Sequence, residues 1–232
     1  MEPAVMRPGR GPQVIKRPEG WSAGGAAPWV NLDDTAPTIS DIALALNRHI
    51  PLDVNRPEVP VPNRTSAVLV PLYEASEGAT VVLTRRSPDL SSHGHEVSFP
   101  GGGHDPADDD HWATALREAQ EEIGLDPTMP RLIGELDRWM TVGSGSWIHP
   151  YVAELSSPPD LVPDPAEVEL ILRVPLSALL GDGVFAEERW PIDGTLRTVT
   201  FFELDGDTVW GATAAMLRQL LCLGLGVEDL QQ

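Results

Sequence analysis

The stretch Arg117-Glu118-Ala119-Gln120-Glu121-Glu122-Ile123-Gly124-Leu125 decides the fold that we expect of this chain. Its apolar residues recur at three- and four-residue steps, the period of a helix with one buried face. Aspartates around Asp110 can cap the start of such a helix, and Gly124 can end it, because glycine tolerates the left-handed conformation found there. The residues that this helix would bury are Leu116, Ala119 and Ile123.

Three glutamates, Glu118, Glu121 and Glu122, share another face of the predicted helix, because residues three and four apart are neighbours. Their carboxylates repel one another, and we expect no lysine or second arginine nearby to neutralise them. Mg²⁺ or Mn²⁺ would do so, since these ions bind a few carboxylates and complete their octahedra with water and substrate phosphates. The alternative is an ordinary solvated helix face, which is what most charge runs are. The helix by itself leaves both interpretations open.

A glycine-rich turn, Phe99-Pro100-Gly101-Gly102-Gly103, precedes the helix. A turn, a capped helix and a glutamate ladder in this order resemble the Nudix box, G-x5-E-x7-R-E-U-x-E-E-x-G-U, where U is aliphatic. The second half matches from Arg117 to Leu125, with Ala119 at the first aliphatic position. In the first half Gly103 has the right spacing, but Asp109 stands where the box has a glutamate.

The segment from Leu83 to Gly102 resembles the signature of the coenzyme A diphosphatase branch of the Nudix hydrolases, roughly L-T-x-R-[SA]-x-x-L-[R]-x-H-x-G-E-V-x-F-P-G-G. Two residues depart from it: Ser91 stands where arginine is usual, and His95 where glycine is usual. The same branch often spaces its box as P-G-G-x-x-D-x-x-D. The aspartates that meet this spacing are Asp105 and Asp108. Asp108 and Asp109 therefore compete for one role.

The resemblance covers about residues 65–220 and implies an α/β fold, the Nudix-type α/β/α sandwich around a mixed β-sheet, which the interspersed strands and helices also favour. It implies a metal-dependent enzyme, using Mg²⁺ or Mn²⁺, that cleaves the diphosphate bridge of coenzyme A or acyl-coenzyme A. The products would be 3′,5′-ADP and 4′-phosphopantetheine or its acyl form. The two departures keep open a Nudix hydrolase of another nucleoside diphosphate derivative, such as a dinucleotide, ADP-ribose or a nucleotide sugar. A third hypothesis, a catalytically silent nucleotide sensor, is opposed by the intact ladder.

The box supplies the candidate catalytic residues. Glu118, Glu121 and Glu122 are the expected metal ligands, and by analogy with the family Glu122 and Glu121 would hold ions most directly. Arg117 would orient the ladder, because its planar fork can contact two carboxylate oxygens at once. Glu167 is a candidate general base by position only, and a solvated glutamate at a strand edge is an equal alternative.

The signature supplies the candidate substrate-binding residues, and glycines among them would let the backbone approach substrate and metal closely. These residues are Arg85, Arg86, His93, Glu96, Gly101 and Gly102. The adjacent arginines could form part of a basic patch. A lone loop histidine such as His93 is more often a hydrogen-bonding residue than a metal ligand.

The net charge of −19 over 232 residues argues against nucleic-acid binding, because nucleic-acid-binding proteins need a basic field. The same charge repels a polyphosphate substrate, so metal ions and a local basic patch must reverse its sign at the site. The single cysteine, Cys222, allows no internal disulfide, and no apolar run is long enough to cross a bilayer. We therefore expect a cytoplasmic protein whose partner is a small nucleoside diphosphate such as coenzyme A; the family frequently forms homodimers.

Residues 1–36 are rich in Pro, Gly and Ala and predict an extended or partly disordered arm, whose tryptophans suggest that it docks on another surface. Residues 37–232 form the expected Nudix domain. It begins with a helix capped by Thr38 or Ser40 and ends with a helix starting at Thr208. The strands that we expect are 67–73, 80–84, 96–99, 131–139, 147–155, 167–174 and 197–204, with a short helix at 176–180.

Overall fold

The computed structural model describes residues 6–32, 35–54, 64–90, 93–141, 145–192 and 194–229. Ser91, one of the two departures from the signature, lies outside these residues. The helices are α1 Ile39–Leu46, α2 His111–Ile123, α3 Leu176–Leu179 and α4 Gly211–Leu225. The strands are β1 Ser22–Ala23, β2 Asp53–Val54, β3 Arg64–Ala75, β4 Gly78–Arg86, β5 Val97–Ser98, β6 Gly101–Gly103, β7 Arg131–Glu135, β8 Arg138–Met140, β9 Ser146–Glu154, β10 Val168–Pro175, β11 Phe185–Ile192, β12 Thr195–Leu204 and β13 Asp207–Trp210.

A mixed sheet of nine strands, as counted in the described residues, forms the centre of the fold, with β10-β4-β3-β9-β8-β2 as its main path. β3 is antiparallel to β4 and parallel to β9. Successive side chains of a strand point to opposite faces, so Leu69 of β3 packs in the cluster with α2 while Val70 packs in the cluster with α1 and α4. Helices therefore cover both faces, and the expected α/β/α sandwich around a mixed sheet is confirmed.

The helix predicted from the box is present as α2. Asp110 caps it by accepting a hydrogen bond from the backbone N–H of Ala113 (2.8 Å), and Gly124 ends it with a φ of 65°. Ala119 and Ile123 are fully buried, as the period of the sequence predicted. These local signals were sufficient because cap, apolar face and terminal glycine all lie within one short segment.

The glycine-rich segment that we expected to be a turn is instead a strand. Gly101–Gly103 forms β6, which pairs with β3 so that Gly101 lies opposite Val68. Gly101 has a φ of 155°, and a Cβ there would overlap the carbonyl oxygen of Ala67. Only glycine fits this position, because the neighbouring strand leaves no room for a side chain.

Two further expectations about the elements are wrong. The predicted strand 131–139 is divided into β7 and β8. The last helix begins at Gly211 and not at Thr208, because Asp207–Trp210 pairs with β12 as β13 after a turn at Gly206, whose φ is 79°. β11 was not predicted at all.

β1, β11, β12 and β13 form a second, antiparallel sheet in that order, against which the arm packs. Ser22 and Ala23 of the arm pair with β11, and Ile15 is buried against the same sheet. Trp29 packs on Phe185 (5.3 Å between ring centroids) and Phe202 (6.3 Å). Over residues 6–32 the arm thus docks on its own chain. None of the helices in the described ranges is long and apolar enough to cross a membrane.

Candidate active site

The carboxylates of α2 face the glycine strand β6. Glu122 is only 2% exposed, and its Oε2 accepts a hydrogen bond from the backbone N–H of Gly101 (3.2 Å). Glu118 lies so close to Gly102 that a Cβ there would be 2.5 Å from its carboxyl carbon. β6 therefore brings bare backbone to the two carboxylates.

Burial and mutual repulsion oppose ionisation of these two carboxylates. Burial raises the pKa of Glu122 to about 8, and the charges of Glu118 and Glu167 act in the same direction. Burial also raises the pKa of Glu118, although Arg117 opposes this shift. Additional positive charge from a ligand would stabilise both groups in their ionised form.

Glu121 lies at the solvent side of the ladder. Its side chain is 57% exposed and accepts a hydrogen bond from Arg117 Nη1 (2.8 Å). Its charge still acts on Glu118, whose pKa it raises. The three expected metal ligands are thus neighbours in different environments: one buried, one partly buried and one exposed.

Arg117 contacts the ladder and also anchors the loop before the helix. Its Nη1 lies 3.0 Å from Glu118 Oε1, while its Nε and Nη2 donate to the two oxygens of Asp108 at 2.9 and 3.1 Å. This paired contact holds the pKa of Asp108 well below its usual range. Asp109 is exposed, so in the structure Asp108 is the loop aspartate that Arg117 binds.

The expectation that no second arginine approaches the ladder is wrong. Arg86 Nη1, at the end of β4, lies 3.6 Å from Glu122 Oε1. The contact is invisible in the local sequence, because β4 and α2 lie far apart in the chain and only the fold brings Arg86 to Glu122. Its partner in the expected basic pair, Arg85, is directed elsewhere: it binds Asp207 (3.0 Å) and Glu169 (3.1 Å). Adjacent strand residues point to opposite faces, which separates the two arginines.

His93 Nδ1 and Glu96 Oε2 lie 2.8 Å apart, and both residues line a cleft between the two sheets. Between them His95 has a φ of 63°, in the left-handed region that favours glycine. The departure from the signature at this position is accompanied by a contact that glycine could not make, between His95 Nδ1 and Glu169 Oε2 (2.9 Å).

Glu167, the candidate base, is half-buried just before β10. Its backbone carbonyl accepts a hydrogen bond from Ser87 N–H (2.8 Å), which fixes the segment next to the signature loop. Its charge raises the pKa of both Glu118 and Glu122, so it lies within electrostatic reach of the ladder.

A cleft of about 1290 Å³ opens between the two sheets, and Gly101–Gly103 form part of its wall. Among its described lining residues there are four arginines and one acidic residue, Glu96. The arginines are Arg64, Arg86, Arg189 and Arg197. A chain with a net charge of −19 thus contains a cleft whose charged lining residues are mostly positive.

Three of these arginines, Arg64, Arg189 and Arg197, were missed in the sequence. They come from β3, β11 and β12, and no motif connects them. The net charge indicated that a basic patch was needed, but it did not indicate which residues supply that patch.

A NUDIX domain model matches residues 63–193. The chain belongs to the Nudix family. It is therefore a Nudix hydrolase, an enzyme that acts on phosphoanhydride bonds in nucleoside diphosphate derivatives.

Two relatives of this family are 37% and 38% identical to the chain over the aligned residues. A Photorhabdus laumondii protein named "Uncharacterized Nudix hydrolase NudL" is 37% identical over 158 residues, which are 68% of this chain and 83% of that protein. Nudix hydrolase 22, chloroplastic, of Arabidopsis thaliana is 38% identical over 161 residues, 66% of this chain and 53% of its own length. The chain thus spans about half of the plant relative. A MutT/nudix family protein from Enterococcus faecalis overlaps 82% of this chain and 75% of its own, with 13% identity and a TM-score of 0.47.

Nudix hydrolases generally use divalent metal ions, and the chemistry of the ladder fits such an ion. Its donors are carboxylate oxygens, and burial together with like charge makes two of them hard to ionise alone. Within the described part of the chain, no three His, Cys, Asp or Glu side chains already enclose a common point. The agreement between the ladder and a divalent ion therefore rests on the type and the charge of the donor groups.

Proposed function

We propose that the chain is a Mg²⁺- or Mn²⁺-dependent diphosphatase of coenzyme A or acyl-coenzyme A, which releases 3′,5′-ADP and 4′-phosphopantetheine or its acyl form. The observation that carries the proposal is the position of the signature segment. His93, Glu96 and Gly101 of this segment line the basic cleft, and Gly101 also binds Glu122. The described part of the signature segment therefore lines the cleft, and Gly101 connects it to the ladder.

Glu118, Glu121 and Glu122 would hold the metal ions. When bound, such ions neutralise charge on the diphosphate and lower the pKa of a coordinated water. Arg117 keeps the ladder in place through its contacts with Glu118 and Asp108, and is a positioning residue.

The reaction adds water across the diphosphate bridge. The water oxygen forms a bond to one phosphorus, the bridging P–O bond breaks, and the other phosphate leaves with the bridging oxygen. We assign the proton of the attacking water to Glu167, since its carboxylate lies within electrostatic reach of Glu118 and Glu122. Arg86, beside Glu122 and in the cleft wall, is placed to bind a phosphate oxygen.

The alternative is a hydrolase of another nucleoside diphosphate derivative, such as a dinucleotide, ADP-ribose or a nucleotide sugar. The observation that favours it is His95, which replaces glycine in a left-handed position and binds Glu169. A silent nucleotide sensor is disfavoured, because the ladder is complete and packed against β6.

The two enzymatic hypotheses are separated by incubating the protein with Mg²⁺ or Mn²⁺ and, in turn, coenzyme A, NADH, ADP-ribose and diadenosine polyphosphates. We expect the highest kcat/KM for coenzyme A. Rapid cleavage of another compound with coenzyme A left intact would refute the assignment to this branch. No cleavage of any compound would refute the hydrolase itself.

A further inference from the structure

Two side chains of the signature segment bind one carboxylate of β10. Arg85 stands at a position where the signature allows any residue, and His95 stands where glycine is usual. Arg85 Nε lies 3.1 Å and His95 Nδ1 lies 2.9 Å from Glu169 Oε2. The hydrogen bond with His95, and then that with Arg85, lowers the pKa of Glu169 and so favours its ionised form. Because the signature specifies neither contact, both are features of this chain in particular.

The backbone of β10 is irregular where Glu169 lies. Val168 pairs with Arg86 of β4, and the register shifts before the next pair. That pair is Leu170 with Arg85, so Glu169 is the extra residue of a β-bulge. A bulge changes the direction of a side chain, and bulges are frequent beside active sites. The bulge thus accompanies the contact of Glu169 with the signature segment.

Arg85 also connects this carboxylate to the second sheet. Its Nη1 lies 3.0 Å from Oδ2 of Asp207, a buried residue at the start of β13. Gln13 of the arm completes the connection, because its Nε2 donates to Asp207 Oδ1 (2.7 Å) and to the His95 carbonyl (2.8 Å). A closed circuit of polar contacts therefore joins the arm, both sheets and the loop 93–96. We refer to its members as the loop clamp: Gln13, Arg85, His95, Glu169 and Asp207.

The loop that the clamp holds supplies residues to the cleft. His93 and Glu96 line the cleft, whereas no member of the clamp belongs to its described lining. The backbone ties the same loop to β4, since the His95 N–H donates to the Arg86 carbonyl (3.0 Å) and the Arg86 N–H donates to the Glu96 carbonyl (2.9 Å). The clamp is therefore in contact with the loop and not with the space that a substrate would occupy.

We propose that the loop clamp positions His93 and Glu96 for substrate binding. Arg85 and His95 are then positioning residues, which act through the loop and do not touch the substrate. The departure from the signature at His95 supports the loop and does not select a different substrate. The inference rests on the proposed function in one respect, because it takes the cleft as the place where the diphosphate binds. It holds for whichever diphosphate the enzyme cleaves.

Glu169→Ala removes the shared carboxylate, and His95→Gly removes the imidazole while fitting the φ of 63°. With coenzyme A, or with the compound of the panel that is cleaved fastest, we expect each variant to raise KM about tenfold and to change kcat less than about twofold, because uniform binding is lost. The double variant should raise KM little further, since residues in one network are not additive. Glu74→Ala, at an exposed position in β3 and outside the described cleft lining, is the control.

His95→Asn is the rescue variant. Asparagine tolerates the left-handed conformation, and its side-chain amide can donate to Glu169. We expect KM to stay within about twofold of the wild-type value, because this donor replaces the imidazole N–H. Unchanged KM in Glu169→Ala and His95→Gly, or equal KM in His95→Asn and His95→Gly, would overturn the clamp. A rise of KM for one compound of the panel but not for another would also overturn it, because His95 would then select the substrate.

Hydrogen exchange tests the clamp without a substrate. In Glu169→Ala we expect the His95 amide to exchange at least about tenfold faster than in the wild type, because the loop opens more often. The amide of Val81, which lies between β3 and β10 in the sheet, should be unchanged. If no diphosphate is cleaved but the His95 amide exchanges faster, the proposed function fails and the clamp stands. If diphosphates are cleaved and this exchange is unchanged, the clamp fails and the function stands.

Discussion

Glu122 is the residue in which burial and charge conflict most strongly. It is almost fully enclosed, burial raises its pKa to about 8, and in the described contacts its positively charged neighbour is Arg86, at 3.6 Å. A carboxylate in such a place lowers the free energy of unfolding unless a cation or another partner binds it. Its position therefore supports a role in holding a cation.

Glu122→Gln removes the ligand charge and keeps an oxygen for the Gly101 N–H. We expect kcat to fall by about 10²–10³-fold, the range seen when one group that stabilises developing charge is removed. The melting temperature should be unchanged or higher, because the buried position no longer holds an ionisable group. Glu74→Gln, at an exposed position in β3, is the control and should retain full activity. Full Mg²⁺-dependent activity in Glu122→Gln would contradict the role of the ladder.

A second residue-scale effect concerns pH. Burial, together with the neighbouring His111 and Arg138, lowers the pKa of His149 to about 4. Above pH 6.5 His149 is neutral in both states, and as the pH falls from 6.5 to 4 only the unfolded state gains the proton, so stability is lost in that window. Because His149 is only half-buried, we expect the free energy of unfolding to fall by about 1–2 kcal/mol over this window. This is less than the full pKa difference implies.

The measurement is denaturant unfolding of the wild type and His149→Gln at pH 7.5 and pH 4.5. The loss of unfolding free energy between the two pH values should be smaller in the variant by that amount. An identical loss in both proteins would show that His149 does not titrate as described.

Among the elements, β6 determines where the backbone meets the ladder. Gly101→Ala should lower the free energy of unfolding by about 1–3 kcal/mol, the usual cost of overpacking, because its Cβ would overlap the backbone of β3. Gly103→Ala is the matched control, since no atom lies within 4 Å of a Cβ there and its φ is not positive. Urea denaturation of the two variants checks this. Equal stability in both would mean that β6 is not held against β3 as described.

The arm contributes a buried link to the signature loop. Gln13 donates to the His95 carbonyl (2.8 Å) and to Asp207 Oδ1 (2.7 Å), and accepts from the Thr208 N–H (2.9 Å). Gln13→Met should lower the free energy of unfolding by about 1–3 kcal/mol, because it leaves buried polar groups unpaired. Lys16→Met, at an exposed position, should cost almost nothing by the same denaturation measurement. A similar loss in both would show that the amide of Gln13 is not what fixes the arm.

The sequence predicted elements whose signals are local, and missed features that depend on distant pairing. The cap at Asp110, the apolar period and Gly124 identified α2 without knowledge of its neighbours. β6 was mistaken for a turn because glycines have no strand preference and only pairing with β3 extends them. In the site, the ladder was found, but the approach of Arg86 to Glu122 and the arginines of the cleft could not be, since they come from four separate strands.

At the scale of the whole molecule, the net charge of the chain and the charge of the cleft have opposite signs. The chain carries a net charge of −19, whereas four arginines and a single glutamate line the described part of the cleft. Field lines concentrate in such a cleft, so a polyanionic substrate can bind despite the overall charge. The second sheet supplies one wall of this cleft, and the arm packs on that sheet.

The most direct test is the identity of the products when coenzyme A is incubated with Mg²⁺ and the protein, measured by mass spectrometry beside the Glu122→Gln variant. We predict 3′,5′-ADP and 4′-phosphopantetheine in equal amounts from the wild type and almost none from the variant. Intact coenzyme A in the wild-type reaction, or equal product from both proteins, would contradict the account.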